Sequence, residues 1–300
     1  MNDPYPLCQG PDPAPAPVSF AVPTGAIDCH AHIFGPVVKY PLSSSRGYTP
    51  PEASLESFLA LHRKLGGIER AVLTQPSVYG SDNTCMMDAV DEMGDKFRAI
   101  VAVGPDITDH ELEDFHERGA RGVRVNLADK GGNPFDGIKA VQKFTERLKA
   151  LGWHLEVLIR VHEFDNLYDA MKLMAVDVSF GHLGYMRTDR GLTHPGFQDL
   201  LALLRDGRCW VKLTGTYRIT TCELPPYPDV TPYAQALLAA NQDRIVWGTD
   251  WPHPTFKGRM PNDGPLFDQL VEWAPDEATR RKVLVTNAER LYGFGPLSKP

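Results

Sequence analysis

The feature that most constrains the fold is a regular alternation of short apolar runs with longer segments of helical periodicity. Short apolar runs are typical of strands that are buried on both faces of a parallel sheet. Eight runs of this kind predict strands at Ala26–Ile33, Arg70–Gln75, Phe97–Val103, Gly122–Leu127, His154–Ile159, Asp177–Gly181, Cys209–Leu213 and Arg244–Gly248. Apolar residues spaced by three and four predict helices at Leu55–Leu65, Asn83–Met93, Asp109–Gly119, Ile138–Leu151, Phe164–Met174, Phe197–Asp206, Tyr233–Asn241 and Ala278–Leu284.

Eight strand–helix units in residues 25–300 match the count and the size of a (β/α)8 barrel. We therefore predict an α/β fold with one (β/α)8 TIM barrel over residues 25–300. A doubly wound sheet is the alternative, but it usually carries a glycine-rich phosphate-binding loop after its first strand. Here the first strand ends in His30-Ala31-His32, which makes no such loop.

Residues 1–24 differ from the rest of the chain in composition. So much proline excludes a helix and predicts an extended arm, lying over the barrel or over a neighbouring subunit of a homo-oligomer. The prolines are Pro4, Pro6, Pro11, Pro13, Pro15, Pro17 and Pro23.

The overall composition excludes several classes of partner. A net charge of −7 argues against nucleic acid. We also expect no membrane partner, because no apolar stretch reaches transmembrane length. The five cysteines are odd in number and form no CxxC pair, which predicts free thiols in a cytoplasmic protein.

Polar and titratable residues fall where a barrel carries its chemistry, at the carboxyl ends of the strands. Alternate residues of a strand share a face, so the side chains of His30 and His32 should project together and that of Cys29 to the opposite side. The residues at these ends are His30 and His32, Gln75 and Ser77, Arg124 and Asn126, His182, Thr214 and Arg218, and Asp250 with His253.

Two imidazoles and a carboxylate aimed at one point predict a hydrolytic or lytic enzyme. Such a group can bind a metal, or it can polarise a carbonyl while the carboxylate activates water. His30, His32, His182 and Asp250 form a suitable ligand set for one zinc ion with an open position for water. Both options, no required metal and one zinc, stay open at this point.

Several segments, taken together, resemble the amidohydrolase superfamily, and within it the 2-pyrone-4,6-dicarboxylate lactonase group and its sulfomuconolactone-hydrolase relatives. The matching segments run in order along nearly the whole chain. They are Gly25–Pro36, Gln75–Asn83, Arg121–Asn126, Gly152–His154, His182–Gly184, Trp247–Pro254 and Thr286–Tyr292.

The resemblance implies opening of a cyclic ester that carries carboxylate or sulfonate groups, in the degradation of aromatic compounds. It implies Asp250 as the general base, and His30, His32 and His182 as groups that polarise the lactone carbonyl. The substrate-binding residues that we carry over or assign beside them are Arg124, Arg218, Lys130, Ser77, Tyr48, Tyr185 and His253.

Departures from the lactonase pattern make pyrone dicarboxylate itself a doubtful substrate. Tyr185 stands where that pattern has arginine, Leu158 replaces an aromatic hydroxyl, and Lys130 replaces a further arginine. A different anionic lactone, such as a muconolactone or its sulfonated analogue, fits as well.

Two other functions stay open. A zinc-dependent decarboxylase of the same superfamily would share the His-x-His segment and Asp250, and would release carbon dioxide. A non-catalytic binding protein is the other, although all four catalytic candidates are present. Of the remaining titratable residues, we expect His62, His110, His116 and His194 to be exposed, and the direction of Glu156 is not decided.

Overall fold

The computed structural model describes residues 5–128 and 134–295, and its centre is one sheet of eight parallel strands in sequential order. All eight predicted strands are confirmed, with ends that differ from the prediction by at most two residues. The strands are β1 (Ile27–Ala31), β2 (Arg70–Thr74), β3 (Phe97–Val101), β4 (Ala120–Asn126), β5 (His154–Leu158), β6 (Val178–Phe180), β7 (Cys209–Leu213) and β8 (Ile245–Trp247).

The sheet closes on itself through backbone hydrogen bonds just beyond the carboxyl ends of β1 and β8. The amide of Asp250 donates to the carbonyl of His30, and the amide of His32 donates to the carbonyl of Trp251, both at 2.8 Å. The fold is therefore the predicted (β/α)8 barrel, and its closure brings the first and last motifs of the sequence together.

Helices surround the sheet and follow the predicted order with two differences. The segment predicted at Phe164–Met174 is helical only over Leu167–Met171. The helices are α1 (Leu55–Lys64), α2 (Thr84–Met93), α3 (Asp109–Glu117), α4 (Gly137–Ala150), α5 (Leu167–Met171), α6 (Pro195–Arg205), α7 (Thr231–Asn241), α8 (Asp263–Trp273), α9 (Glu277–Arg281) and α10 (Asn287–Tyr292).

The second difference concerns the helix after β8, which the sequence analysis missed. The predicted segment Ala278–Leu284 lies in α9 and in the π-helical turn that leads to α10, whereas α8 follows β8 directly. Asn262 caps α8 by accepting a hydrogen bond from the Gly264 amide. Gly264 and Pro265 weaken the helical pattern at its start, although proline is tolerated in the first turn of a helix.

Alternate strand residues divide the core into two apolar clusters. The larger cluster contains residues such as Ala71 and Leu73 together with the helices. The smaller one contains Val72, Ile100 and Val246 from the strands, closed by Tyr292 and Phe294 from the end of the chain. Neighbouring strand residues point to opposite faces, so this smaller cluster lies inside the barrel, away from the carboxyl ends of the strands.

Residues 5–24 contain no helix and are held against the barrel by hydrogen bonds and ring contacts. The amide of Cys8 donates to the carbonyl of Thr49 at 2.8 Å, and the Gln9 side chain donates to the carbonyl of Gly258 at 3.1 Å. The rings of Phe20 and Phe267 meet edge to face at 5.0 Å. Within the described ranges, the helices are all too short or too polar to cross a membrane.

Candidate active site

The first two site residues come from the carboxyl end of β1. His30 lies in the strand and His32 just beyond it, and the pairing of β1 with β2 shifts register between Asp28 and Ala31. The two imidazole rings lie 5.1 Å apart, centre to centre. The prediction that they project together is confirmed. Cys29 packs instead in the apolar interior of the barrel.

The hydrogen bonds of His32 fix which of its nitrogens carries the proton. Its Nδ1 lies 2.7 Å from the carbonyl oxygen of Thr74, which can only accept. Burial lowers the pKa of this imidazole well below its ordinary value, so the ring is neutral at pH 7. Nδ1 is therefore protonated, and Nε2 presents a lone pair toward Asp250.

Asp250 follows β8, fully buried and in the left-handed backbone region at φ 63°. Its Oδ2 accepts hydrogen bonds from the Tyr217 hydroxyl and, at 2.7 Å, from Arg218 Nε. Its Oδ1 has no hydrogen-bond partner in the described chain and lies 3.6 Å from His30 Nε2 and 3.8 Å from His32 Nε2. One carboxylate oxygen is thus held in place, and the other is left for chemistry.

The charge state of Asp250 suits a base. Burial acts to raise the pKa of this carboxyl group, but Arg218 and the surrounding histidines outweigh it and hold the pKa well below its ordinary value. The carboxylate is therefore ionised at neutral pH. A buried carboxylate needs such a counter-charge to stay ionised.

His182 approaches the same carboxylate from the end of β6. Its Nδ1 lies 3.9 Å from Asp250 Oδ2, and its ring lies 5.1 Å from that of His30. This approach depends on Gly215, where a β-carbon would meet His182 Nδ1 at 2.5 Å and Asp250 Oδ2 at 3.0 Å. Burial lowers the pKa of His182 well below its ordinary value, so this ring too is neutral.

These residues fit a metal ion at one point. His30, His32 and Asp250 each offer one ligand atom, and the three atoms lie within 4.8 Å of one another. His30 Nε2 and Asp250 Oδ1 are buried atoms without a partner among the described residues. Bare nitrogens and a carboxylate oxygen that face each other repel unless a cation lies between them, and N2O donor sets suit zinc. His182 lies beside this trio rather than within it.

A cavity of about 330 Å³ opens above the histidines and Asp250. Of the predicted catalytic and substrate-binding residues, eight line it: His32, Tyr48, Ser77, Arg124, His182, Tyr185, Arg218 and Asp250. Leu158, which stands in place of an aromatic hydroxyl, also lines it. Lys130 lies outside the described residues.

The two predicted arginines differ in how much of their guanidinium is already used. Arg218 donates from all three nitrogens, to Asp250, to Thr255 Oγ1 at 3.3 Å and to the Pro254 carbonyl at 2.9 Å. Arg124 donates from Nη1 to the Gln75 carbonyl at 2.9 Å. Its Nε is buried with no partner in the described part of the chain.

His253 does not line this cavity, although we assigned it to substrate binding. It is fully buried, with Nδ1 3.1 Å from the Tyr217 hydroxyl and Nε2 3.0 Å from Asp263 Oδ1. Asp263, His253 and Tyr217 thus form a hydrogen-bonded row that ends on Asp250 Oδ2. This row therefore contacts the Asp250 carboxylate through Oδ2 and does not line the cavity.

The sequence analysis missed Asp263, the buried Lys212 and the hydrogen bond from Tyr217 to Asp250, and it misplaced His62. Lys212 could have been noticed as a lysine inside the apolar run of β7. His62 was predicted to be exposed, which is wrong: it is 1 % exposed, and its Nε2 lies 3.1 Å from Asp28 Oδ2. An acidic residue in β1 supplies the polar partner that allows this histidine to be buried.

The model of the amidohydrolase family matches residues 27–294. The chain belongs to this family. It is 37 % identical over 290 residues to 4-sulfomuconolactone hydrolase from Hydrogenophaga intermedia, covering 96 % of this chain and 95 % of that protein. It is 34 % identical over 286 residues to 2-pyrone-4,6-dicarboxylate hydrolase from Comamonas testosteroni, covering 93 % of both.

A solved structure supports the same grouping of this amidohydrolase. A probable 2-pyrone-4,6-dicarboxylic acid hydrolase from Acinetobacter baumannii, with citric acid bound, superposes with a TM-score of 0.78 at 26 % identity. The alignment covers 90 % of this chain and all of that one. Sequence and structure therefore place the chain among amidohydrolases named for lactone hydrolysis.

Proposed function

We propose that this amidohydrolase opens a lactone that carries carboxylate or sulfonate groups, of the kind formed when aromatic compounds are degraded. The names of its relatives support lactone hydrolysis. The observation that carries the proposal is the Asp250 carboxylate. It is ionised and held through Oδ2 by Tyr217 and Arg218, and its Oδ1, beside the cavity, has no partner among the residues that the structure describes.

Asp250 is the general base in this proposal. Oδ1 takes a proton from water as the water oxygen attacks the lactone carbonyl carbon. The ring C–O bond then breaks, the departing oxygen takes the proton back from Asp250, and the new carboxylic acid releases its own proton, so that the product is an open-chain hydroxy acid, or its keto form, with one new carboxylate. A positioned base of this kind contributes typically about 10²–10⁴-fold to the rate.

The cations around the cavity select an anionic substrate. Within the described ranges, Arg124 Nε has no partner, and the Nη groups of Arg218 bond to neutral oxygens that a carboxylate or sulfonate can replace. Arginine suits such planar anions because it donates two parallel hydrogen bonds. Tyr48 and Ser77 supply further hydroxyl groups on the same wall.

We include one zinc ion in the proposal, held by His30, His32 and Asp250. When bound, it would act as a Lewis acid toward the carbonyl oxygen and lower the pKa of water. The residues make a metal-free alternative less favourable, because His32 donates its only proton to Thr74. A neutral His32 therefore has no N–H with which to polarise a carbonyl.

Two cavity residues narrow the choice of lactone. Leu158 and Tyr185 line the cavity at positions where the lactonase pattern has an aromatic hydroxyl and an arginine. A carboxylate carried into this part of the cavity would lose both partners, and an unpaired buried charge is costly. We therefore propose a muconolactone-type substrate in preference to pyrone dicarboxylate.

The test is a comparison of 4-sulfomuconolactone, muconolactone and 2-pyrone-4,6-dicarboxylate, with proton release and carbon dioxide measured in the same samples. Hydrolysis releases a proton as the new carboxylate forms, so we expect acidification without gas. We expect the pyrone to be the poorest of the three, and treatment with a chelator to abolish turnover until zinc is restored. Carbon dioxide release would support the decarboxylase instead, and efficient turnover of the pyrone would contradict the substrate preference.

A further inference from the structure

A buried ion pair lies on the side of His30 that faces away from Asp250. It consists of Glu156 in β5 and Lys212 in β7, whose side chains are 2 % and 0 % exposed. Neither residue is among those that line the cavity. Two charges buried in a barrel interior are costly, so their contacts with the site require an explanation.

The contacts of this Lys212–Glu156 pair converge on one residue. Lys212 Nζ donates to Glu156 Oε2 and, at 2.8 Å, to the backbone carbonyl of Cys29, the residue before His30. The second oxygen, Glu156 Oε1, lies 3.4 Å from His30 Nδ1. The pair therefore contacts both the imidazole ring of His30 and the peptide carbonyl just before it, at the point where β1 shifts register.

The ring of His30 has two different sides. Nε2 faces Asp250 Oδ1 at 3.6 Å and has no hydrogen-bond partner in the described chain. Around Nδ1 lie the carboxylate oxygen of Glu156 at 3.4 Å, Lys212 Nζ at 3.3 Å and the Thr74 hydroxyl at 3.4 Å. A neutral imidazole carries one proton, and the groups around Nδ1 decide which nitrogen holds it.

Two considerations place that proton on Nδ1. Lys212 gives two of its three N–H donors to oxygens and the Thr74 hydroxyl can either donate or accept, whereas Glu156 Oε1 can only accept, so a proton on His30 Nδ1 is the arrangement that gives this carboxylate oxygen a donor. His32, beside it, has the same arrangement, with its Nδ1 proton given to the Thr74 carbonyl. Both histidines then turn a bare Nε2 toward Asp250 Oδ1.

We propose that the Lys212–Glu156 pair positions His30, with Glu156 accepting the Nδ1 proton and Lys212 anchoring both this carboxylate and the β1 backbone. The lone pair of Nε2 is thereby directed at the metal position beside Asp250. Carboxylate groups behind a metal-binding histidine orient the ring and raise its basicity. The inference rests on the proposed function for the zinc position and for the effect on turnover, whereas the tautomer of His30 is independent of it.

The tautomer of His30 can be read in the unaltered protein, without substrate. The protein is labelled with ¹⁵N-histidine, stripped of metal, and examined by long-range ¹H–¹⁵N correlation NMR, with the His30 signals assigned from a His30→Gln variant. We expect a neutral ring with Nδ1 protonated. A neutral ring protonated at Nε2 would overturn the proposal.

A double variant tests the pair itself. Glu156→Gln with Lys212→Met removes both charges together, so neither is left buried without a partner. We expect zinc affinity, measured by competition with a chelating dye, to fall by about 10–100-fold, and kcat to fall more than KM changes. Glu289→Gln is the matched control, because it breaks the Arg70–Glu289 ion pair elsewhere on the barrel and should leave zinc affinity unchanged.

The outcomes separate this inference from the proposed function. A folded double variant with zinc affinity within twofold of the unaltered protein would show that the pair only stabilises the fold. The NMR and zinc measurements use no lactone, so they stand even where the lactone screen finds no turnover. Conversely, a protein that hydrolyses the lactone but carries the His30 proton on Nε2 would support the proposed lactonase function and contradict the positioning role of the Lys212–Glu156 pair.

Discussion

Two histidines on the barrel strands, His30 and His154, show how differently the two ends of the barrel use the same buried side chain. His30, near the carboxyl end of β1, has charged groups at Nδ1 and an open Nε2 beside Asp250. His154 begins β5, and neither ring nitrogen has a hydrogen-bond partner in the described chain. Its ring packs edge to face on Tyr292 at 5.3 Å. One imidazole is prepared for a ligand, and the other fills space.

The backbone shows the same contrast. Of eight non-glycine residues with positive φ in the described chain, six lie in the loops after β6 and β8: His182, Leu183, Tyr185, Asp250, His253 and Thr255. Each such conformation costs on the order of 1–3 kcal/mol. None of these eight residues lies in a strand. The strained backbone is therefore found in loops, most of it at the carboxyl end of the barrel, whereas the strands stabilise the fold.

The largest effect should come from the carboxylate at that end. Asp250→Asn keeps the shape of the side chain but removes the proton acceptor, so kcat/KM should fall by about 10²–10⁴-fold while the circular dichroism spectrum stays that of the unaltered protein. Asp177→Asn is the control, because this carboxylate precedes β6 and pairs with Arg244 away from the cavity. An Asp250→Asn enzyme that kept more than a tenth of its activity would show that Asp250 is not the base.

His154 should matter to stability rather than to turnover. Burial lowers its pKa from 6.5 to about 4, so between those pH values the unfolded chain binds the extra proton. The free energy of unfolding should fall as the pH drops from about 6.5 to 4, with this residue contributing about 3 kcal/mol.

The measurement is urea unfolding at several pH values in that range. His154→Leu should reduce the pH dependence, whereas His110→Gln, at an exposed position, should not. An unchanged pH dependence in His154→Leu would mean that the imidazole is not held neutral in the folded protein.

The smallest of the three effects concerns recognition. Arg124→Met should raise KM for an anionic lactone by roughly 30-fold, about 2 kcal/mol, because a charged hydrogen bond to substrate is lost. A neutral ester of the same lactone should be affected less. Arg121→Met, earlier in the same strand, is the control, since Arg121 bonds to the His116 and Ala120 carbonyls. Equal losses for charged and neutral substrates would assign Arg124 to the fold instead.

The sequence predicts the barrel well because strand period, helix period and strand-end chemistry agree over eight units. It also predicts that His30, His32, His182 and Asp250 meet, since barrel closure brings all strand ends to one face. The sequence could not show which way the Glu156 side chain points, or that it pairs with Lys212. Those contacts depend on the register between β5, β6 and β7 and on the shift in β1, which no periodicity reveals. The burial of His62 was not predicted because its partner Asp28 is distant in sequence, and only the folded barrel brings the two side chains together.

The hydrogen bonds of residues 5–19 have a consequence for synthesis of the chain. The Gln9 side chain bonds to the Gly258 carbonyl, and the amide of Ser19 bonds to Asp268, each across 249 positions of sequence. At about 5–20 residues per second, a ribosome needs roughly 12–50 s to make that length of chain. Gln9 and Ser19 therefore wait for Gly258 and Asp268, and these contacts of the segment with the barrel form only after both partners have left the ribosome. A nascent chain that stopped before β8 would carry the β1 histidines without Asp250, and so without the carboxylate that faces them.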